Sequence, residues 1–386
     1  MTTYTIFSLN VLNFIIFNMG VKFGDFFIRK ELKYSQIEGK LVAVDAPNII
    51  MGLFNFTRPK KEEMEPNLIL DRTQRPISHL YGLLYRINFY YSKKICPIFC
   101  FDGTDSSLKR LVTKDRLKDF KFTQNWYQRA LERNDISLAR KIALSKEYLW
   151  QNIIIESKQL LNALGIPYIE SPASAESQCA HLVKQGVVSY SISQDYDSVV
   201  FGCPRMIHNL TKSRKKKIQG RWKYERIIPT EINLKENLNR LGITLFQLVD
   251  MAILIGSDYF KGIHGIGPKT AYQLIQKYSN LETIIIQEKQ SYDFSQLTYR
   301  LISEVRKIFL LPEVLKTFSS FSWNYPLEEK IFELLCEEHY LNKERVQKGI
   351  KNFLVNYSKC NEHFRINYGK PQQVQTTLEQ IIRWES

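Results

Sequence analysis

No two of the six cysteines (Cys96, Cys100, Cys179, Cys203, Cys336 and Cys360) form a CxxC pair, and with the histidines they make no paired two-Cys, two-His ligand pattern. A zinc site therefore has no support, and the six read as reduced, mostly buried thiols of an intracellular protein. No internal repeat is evident. Acid is scarce as well: 39 Asp and Glu stand against 54 Lys and Arg, a net charge of +15. A solvated surface needs no such excess, so a polyanionic partner is expected, nucleic acid first and an anionic membrane surface second. Long apolar runs are missing except at the start, where "MTTYTIFSLNVLNFIIFN" raises the question of a signal or anchor. That stretch has no basic n-region and no small-residue cleavage site, is interrupted by Asn10 and Asn13, and is too short to cross about 30 Å of hydrocarbon. No membrane role is expected of it. "MGVKFGDFF" from Met19 reads as the natural beginning, with residues 1–18 an extension or a misplaced start.

The remaining composition, 44% hydrophobic and 24% charged over 386 residues, suits a soluble globular protein of one large or two modest domains. From Lys40, "KLVAVDAPNII" predicts a buried strand ended by Asp45. "KKICPIFCFDG" repeats the pattern with Asp102 at its end, and "VVSYSISQDYDSVVFG" predicts a third strand followed by Asp195 and Asp197. Helical spacing separates them, as in "ISHLYGLLYRINFYYSK" with Leu80, Leu83, Leu84 and Ile87. The alternation predicts an α/β fold with a mostly parallel sheet covered on both faces. Ligands of such sheets gather at the carboxyl ends of strands, where these acids sit.

Residues 108–163 are strongly charged and free of Pro and Gly. They predict two or three helices inserted between strands, either a solvated excursion or a basic arch over the site. The run around Arg214, Lys215, Lys216 and Lys217 reads as a solvated loop, with a phosphate contact as the second reading. The most specific stretch is "LIGSDYFKGIHGIGPKTAYQLIQKY". Gly262, Gly265 and Gly267 permit a tight turn and close approach of a ligand, and Pro268 and Lys269 open a helix whose first N–H groups point outward. That geometry suits a phosphodiester backbone and reads no bases; a ligand-free turn between helices is the alternative. Asp258, just upstream, adds another carboxylate.

Taken together, "MGVKFGDFF", "VAVDA", "FCFDG", "ALGIPYIESPASAESQCAHLVKQG", "SQDYDSVVFG" and "GSDYFKGIHGIGPKTA", in that order, resemble the flap endonuclease branch of the structure-specific 5′ nucleases, most closely the archaeal type. The resemblance implies a PIN-like nuclease core with an inserted helical arch and a helix-two-turn-helix element. It divides the chain into an extension (1–18), a nuclease N-region (19–125), the arch (126–163), an I-region (164–245), a helix-two-turn-helix and C-terminal helical region (246–360) and a tail (361–386). It implies hydrolysis of branched or flap DNA in replication and repair, by two Mg2+ per site with Mn2+ able to substitute, and a K+ at the helix-two-turn-helix. The metal ligands would be Asp45, Asp102, Glu176, Asp195, Asp197 and Asp258, six of the seven acids of the family's site. Lys109 and Arg116 match the basic pair facing the scissile phosphate, and a spacing of seven sets them on one helical face. Arg58 and Arg86 match DNA-contacting positions, beside Gly262, Gly265, Gly267 and Lys269. In the tail, Gln375, Leu378, Ile381 and Ile382 resemble the box that binds a sliding clamp, weakly because the usual paired aromatics are absent; a short amphipathic helix packing on its own domain is the alternative. A monomer is expected, cytoplasmic in an archaeal cell and nuclear in a eukaryotic one.

Two departures qualify the resemblance. Ser174 stands where the family has the first Glu of an EAE or EGE pair, and Met51 where it has a tyrosine that stacks on a base. A serine hydroxyl is a weak, neutral ligand, and Glu170 is the nearest acid that could replace the missing one. A metal-dependent nuclease impaired by Ser174 is the leading reading. The alternative is a nuclease-derived module that binds branched DNA and cuts weakly or not at all.

Overall fold

The computed structural model describes residues 21–368 except 22, 25, 55–68, 104–109, 212, 219, 220, 319 and 320. For 110–120, 146–148, 213–218, 221–226, 367 and 368 it describes the backbone alone. Nine strands are present among these residues: β1 (Lys30–Glu31), β2 (Leu41–Asp45), β3 (Cys96–Phe101), β4 (Tyr168–Glu170), β5 (Tyr190–Ile192), β6 (Arg205–His208), β7 (Ser213–Ile218), β8 (Arg221–Arg226) and β9 (Thr230–Asn233). Seven form one sheet in the order β1-β9-β6-β5-β2-β3-β4. The run from β6 to β4 is parallel, whereas β9 pairs antiparallel with both β6 and β1. Val42, Ala43 and Val44 of the central strand are fully buried, as are Ile98 and Phe99 beside them. Unbroken apolar runs of this kind suit strands covered on both faces, and the expected mixed α/β architecture is what the chain adopts.

The helices are α1 (Tyr34–Ile37), α2 (Ala46–Phe54), α3 (Ser78–Ser92), α4 (Arg110–Glu132), α5 (Ile136–Ala143), α6 (Lys146–Ala163), α7 (Ala175–Lys184), α8 (Asp197–Val200), α9 (Leu234–Leu241), α10 (Leu245–Ile255), α11 (Pro268–Tyr278), α12 (Leu281–Gln287), α13 (Tyr299–Leu310), α14 (Glu328–Phe332) and α15 (Lys343–Tyr368). In α3, Leu80, Leu83, Leu84 and Ile87 are buried at the expected spacing. Helices α4, α5 and α6 make the excursion between β3 and β4. It has a small core of its own from Tyr127, Ala130, Ala139, Ile142 and Ala143, and Asp135 caps α5 through the Leu138 N–H at 2.9 Å. With neither Pro nor Gly to stop it, α4 runs through position 125, where the sequence divides the N-region from the arch.

Two further differences have local causes. The basic run expected as a loop is an antiparallel ladder, β7 on β8, with Ile218 opposite Arg221. Trp222 and Tyr224 alternate with charged residues there, a period-2 pattern with strand-favouring rings. At the other end α15 continues past 360 to Tyr368, because Phe353, Tyr357, Cys360 and Phe364 keep one stripe of it buried at helical spacing. Among the described residues no single helix is long and apolar enough to cross a membrane.

Candidate active site

The carboxyl edge of the parallel strands collects the acids. Asp45 is the last residue of β2, fully buried, and its Oδ2 accepts the Ser193 hydroxyl at 2.8 Å. Its Oδ1 takes the Asn48 N–H at 3.2 Å. Asp102 follows β3 and takes the Ala175 N–H at 2.9 Å, which fixes the start of α7 against that strand. Gly103 is required next to it: a Cβ there would fall 1.7 Å from the Ser171 carbonyl oxygen. Glu176 lies in the first turn of α7. Asp195 sits in the turn after β5, where its Oδ2 accepts the Asn48 side-chain amide at 2.5 Å. Asp197 opens α8, is 7% exposed, and takes the Val21 N–H on both oxygens. Asp258 is exposed, beyond α10.

Electrostatics joins the six into one cluster. Burial pushes the Asp45 carboxyl well above its usual range, and the negative charges of Glu176, Asp102 and Asp195 add to it. Asp197 is pushed well up by burial too, then by Glu176, Asp258 and Asp195. Each of the other four acids thus acts on one of the two buried ones, and Glu176 and Asp195 act on both. The buried Asp45 and Asp197 feel negative charge from shared neighbours, which a cation at this edge would relieve.

Ser174 has a different occupation. It is 3% exposed and is the N-cap of α7, its hydroxyl oxygen accepting the Ser177 N–H at 3.3 Å. The Ser177 hydroxyl returns a bond to the Ser174 carbonyl at 2.8 Å. Serine is a favoured residue at this position because its oxygen satisfies an orphan helix N–H. Glu170 does not replace the missing acid: it is ion-paired with Lys158 at 2.6 Å and its side chain is 63% exposed. Met51 is half-buried in α2 and packs on the core.

Of the remaining sequence-level candidates, Arg116 lies on α4, and Arg86 is half-buried on α3 beside the Tyr90 phenol. Lys109, Arg58, Gln375, Leu378, Ile381 and Ile382 lie outside the described residues. The glycine turn has Gly262 and Gly265 at φ of 80° and 85°, and a side chain on Gly262 would meet the Ile255 carbonyl at 2.3 Å. Gly267 is the N-cap of α11 with no side-chain cap, and Lys269 is exposed in the first turn. Sequence reasoning does not find Asn48 or Ser193. Asn48 also accepts the Gln194 N–H at 2.9 Å, so one amide ties α2 to the turn carrying Asp195. The available signal is an Asn three positions after a strand-ending Asp, at the start of a helix.

The model of the XPG I-region family matches residues 165–258. Flap endonuclease 1 of Nanoarchaeum equitans is 35% identical over 335 residues, covering 87% of this chain and 94% of its own. Flap endonuclease 1 of Staphylothermus marinus is 37% identical over 347 residues, covering 88% and 95%. Among solved structures, flap endonuclease-1 of Methanococcus jannaschii is similar at a TM-score of 0.66 and 26% identity, covering 88% of this chain and 99% of that one. More than a third of the aligned residues are shared with the two relatives across nearly their whole length, and the chain belongs to the flap endonuclease family.

Proposed function

We propose that the chain is a structure-specific 5′ flap endonuclease and 5′–3′ exonuclease that hydrolyses phosphodiesters of branched DNA in replication and repair, with divalent cations at the carboxylate edge. The observation that carries this reading is the shared field: Asp45 and Asp197 are both buried, and Glu176 and Asp195 act on both. Oxygen-only donors suit a hard divalent ion. Among the described residues no group of three His, Cys, Asp or Glu is arranged to hold an ion by itself. Magnesium keeps several of its waters and takes only one or two carboxylates directly, so an open array fits it. Bound there, such ions would supply an activated water and neutralise charge at the phosphate.

The chain's own residues do the rest. Asp45, Asp102, Glu176, Asp195, Asp197 and Asp258 would hold the cations, while Asn48 and Ser193 keep Asp45 and Asp195 in fixed orientation. Lys109 and Arg116 would neutralise the scissile phosphate. The turn at Gly262, Gly265 and Gly267 with Lys269 would take a phosphodiester backbone on the open N–H groups of α11, with Arg58 and Arg86 as further DNA contacts. Two Mg2+ per site, replaceable by Mn2+, a K+ at the glycine turn, a monomeric state and a weak clamp contact through Gln375, Leu378, Ile381 and Ile382 are the finer parts of the same proposal. Ser174, spent on its cap, lowers activity. It is the one feature that favours a branched-DNA binder that does not cut. Incubating the chain with labelled double-flap, single-stranded and blunt duplex DNA, with and without Mg2+, tests the reading: selective, Mg2+-dependent cutting at the flap junction is expected.

A further inference from the structure

A buried ionic cluster that the carboxylate edge does not use lies where four parts of the chain meet. Asp71 and Arg75 come from the turn before α3, closed by the Asp71 N–H on the Arg75 carbonyl at 2.8 Å. His79 comes from the first turn of α3, Glu156 from α6, and His339 from the segment just before α15. The side chains of Asp71, His79 and His339 are fully buried and Glu156 is 5% exposed. His339 sets Nδ1 3.2 Å from Asp71 Oδ2 and Nε2 3.3 Å from Glu156 Oε1. Arg75 Nε lies 3.0 Å from Asp71 Oδ2, and His79 Nε2 lies 3.1 Å from Glu156 Oε2. Helix α4 joins through Tyr127, whose hydroxyl donates to the Thr73 carbonyl at 2.7 Å, while Thr73 donates twice to Asp71.

Two constraints agree on the protonation of His339. Asp71 is the hydrogen-bond partner of Nδ1, while Nε2 faces Glu156 at 3.3 Å without a formed hydrogen bond, so a ring set between two carboxylates is favoured as an imidazolium by their charge. Charge asks for one more positive in the cluster: Asp71 and Glu156 bring two negatives and Arg75 one positive, an uncompensated buried charge is costly, and of the two imidazoles His339 faces both carboxylates whereas His79 faces Glu156 alone. Burial opposes a proton on His339, but Asp71 and Glu156 outweigh it and its pKa is raised. Burial likewise pushes Glu156 up, and the adjacent His339 and His79 rings bring it down to about 2.

We propose that Glu156 and His339 are positioning residues for the nuclease reaction: the His339 imidazolium pins α4 and α6, the long helices of the excursion, to the C-terminal segment, and loss of its proton loosens them. Helix α4 carries Arg116, so the latch sets where that member of the proposed phosphate clamp stands. The titratable and charged groups facing it are Asp71 and Arg75 from the turn, His79 from α3, Glu156 from α6 and, through Thr73, Tyr127 from α4. With the folded pKa above the ordinary 6.5, the latch is complete below that value and is lost as pH rises through the raised one.

Ring NMR of the histidines in the full chain, with amide exchange corrected for its intrinsic pH dependence, tests this from about pH 6 to about pH 9. One ring should carry both N–H protons at the low end and vanish in His339→Gln. Opening of α4 and α6 should rise through its titration, with α10 and α11 unchanged. The same step should appear in kcat for flap cleavage and not in KM. Glu156→Gln leaves Asp71 and Arg75 balanced without the proton, so the step should move to lower pH. A singly protonated His339 ring at the low end, the same step in His339→Gln, or loosening that runs equally through α10 and α11 would each overturn the proposal. The wild-type ring state decides it even where a variant does not fold. The exchange and NMR readouts need no DNA, so failure of the latch and failure of the nuclease reading are separable.

Discussion

The backbone N–H of Val21 donates to both carboxylate oxygens of Asp197, at 3.3 and 3.2 Å, across 176 positions of sequence. The Tyr196 hydroxyl anchors the same segment by donating to the Gly24 carbonyl at 2.7 Å. The first described residues therefore rest on an acid of the candidate site. Residues 1–18 precede this segment in the sequence, and deleting them is expected to leave the melting temperature unchanged and to raise cleavage of flap DNA. Equal or lower cleavage by the shortened chain would show that the preceding residues do not impede the site.

Ser174→Glu separates two roles of one position. Replacing the cap should lower metal-free stability by about 1 kcal/mol, read as a fall in melting temperature. Restoring an anionic oxygen beside Glu176 should at the same time raise cleavage and lower the metal concentration that half-saturates it. An unchanged rate and metal requirement would put this residue outside the metal shell.

Asn48→Ala should raise the half-saturating metal concentration by roughly tenfold or more, the usual cost of losing a group that orients a metal ligand. Asp195 and the Gln194 N–H both lose their Asn48 partner in that variant. Calorimetric titration of Mg2+ without DNA checks it, and an unaltered affinity would reduce Asn48 to a packing role.

Residues whose function depends on backbone position were legible in the sequence; those that depend on side-chain direction were not. Asp45, Asp102 and Asp195 follow short apolar runs, and such runs become parallel strands whose ends converge whatever the surrounding detail. Ser174 was visible as a missing charge, but its cap depends on where α7 begins, which Pro172 and the Asp102 bond to the Ala175 N–H decide together. The tie from Asn48 to Asp195 spans 147 positions, beyond any local pattern. The latch at His339 joins segments 268 positions apart and rests on two carboxylates that read locally as surface acids. The β7–β8 hairpin was hidden by its charge, since lysine-rich runs are commonly loops while the alternating Trp222 and Tyr224 carry the strand signal.

The pH dependence of stability without metal follows from Asp197, whose folded pKa is raised by burial and neighbouring acids. A raised carboxyl favours the folded state while protonated, so its contribution is present at low pH and is lost as pH rises from the unfolded value through the folded one. Asp197→Asn should therefore stabilise the metal-free chain at neutral pH, and the advantage should disappear toward acid. Saturating Mg2+ should reverse the order by binding the wild type better. Thermal melts across pH with a chelator present check the sign, and a variant less stable than wild type at neutral pH would contradict the clustered-acid account.

Single-turnover cleavage of a labelled double-flap DNA by the wild-type chain and by Asp197→Asn, with binding measured in parallel, tests directly whether one carboxylate cluster cuts branched DNA. Mg2+-dependent release of the 5′ flap by the wild type, loss of that release in the variant, and DNA affinity little changed between them are expected. Tight binding without cleavage by the wild type in both Mg2+ and Mn2+, or cleavage that survives Asp197→Asn, would contradict that reading.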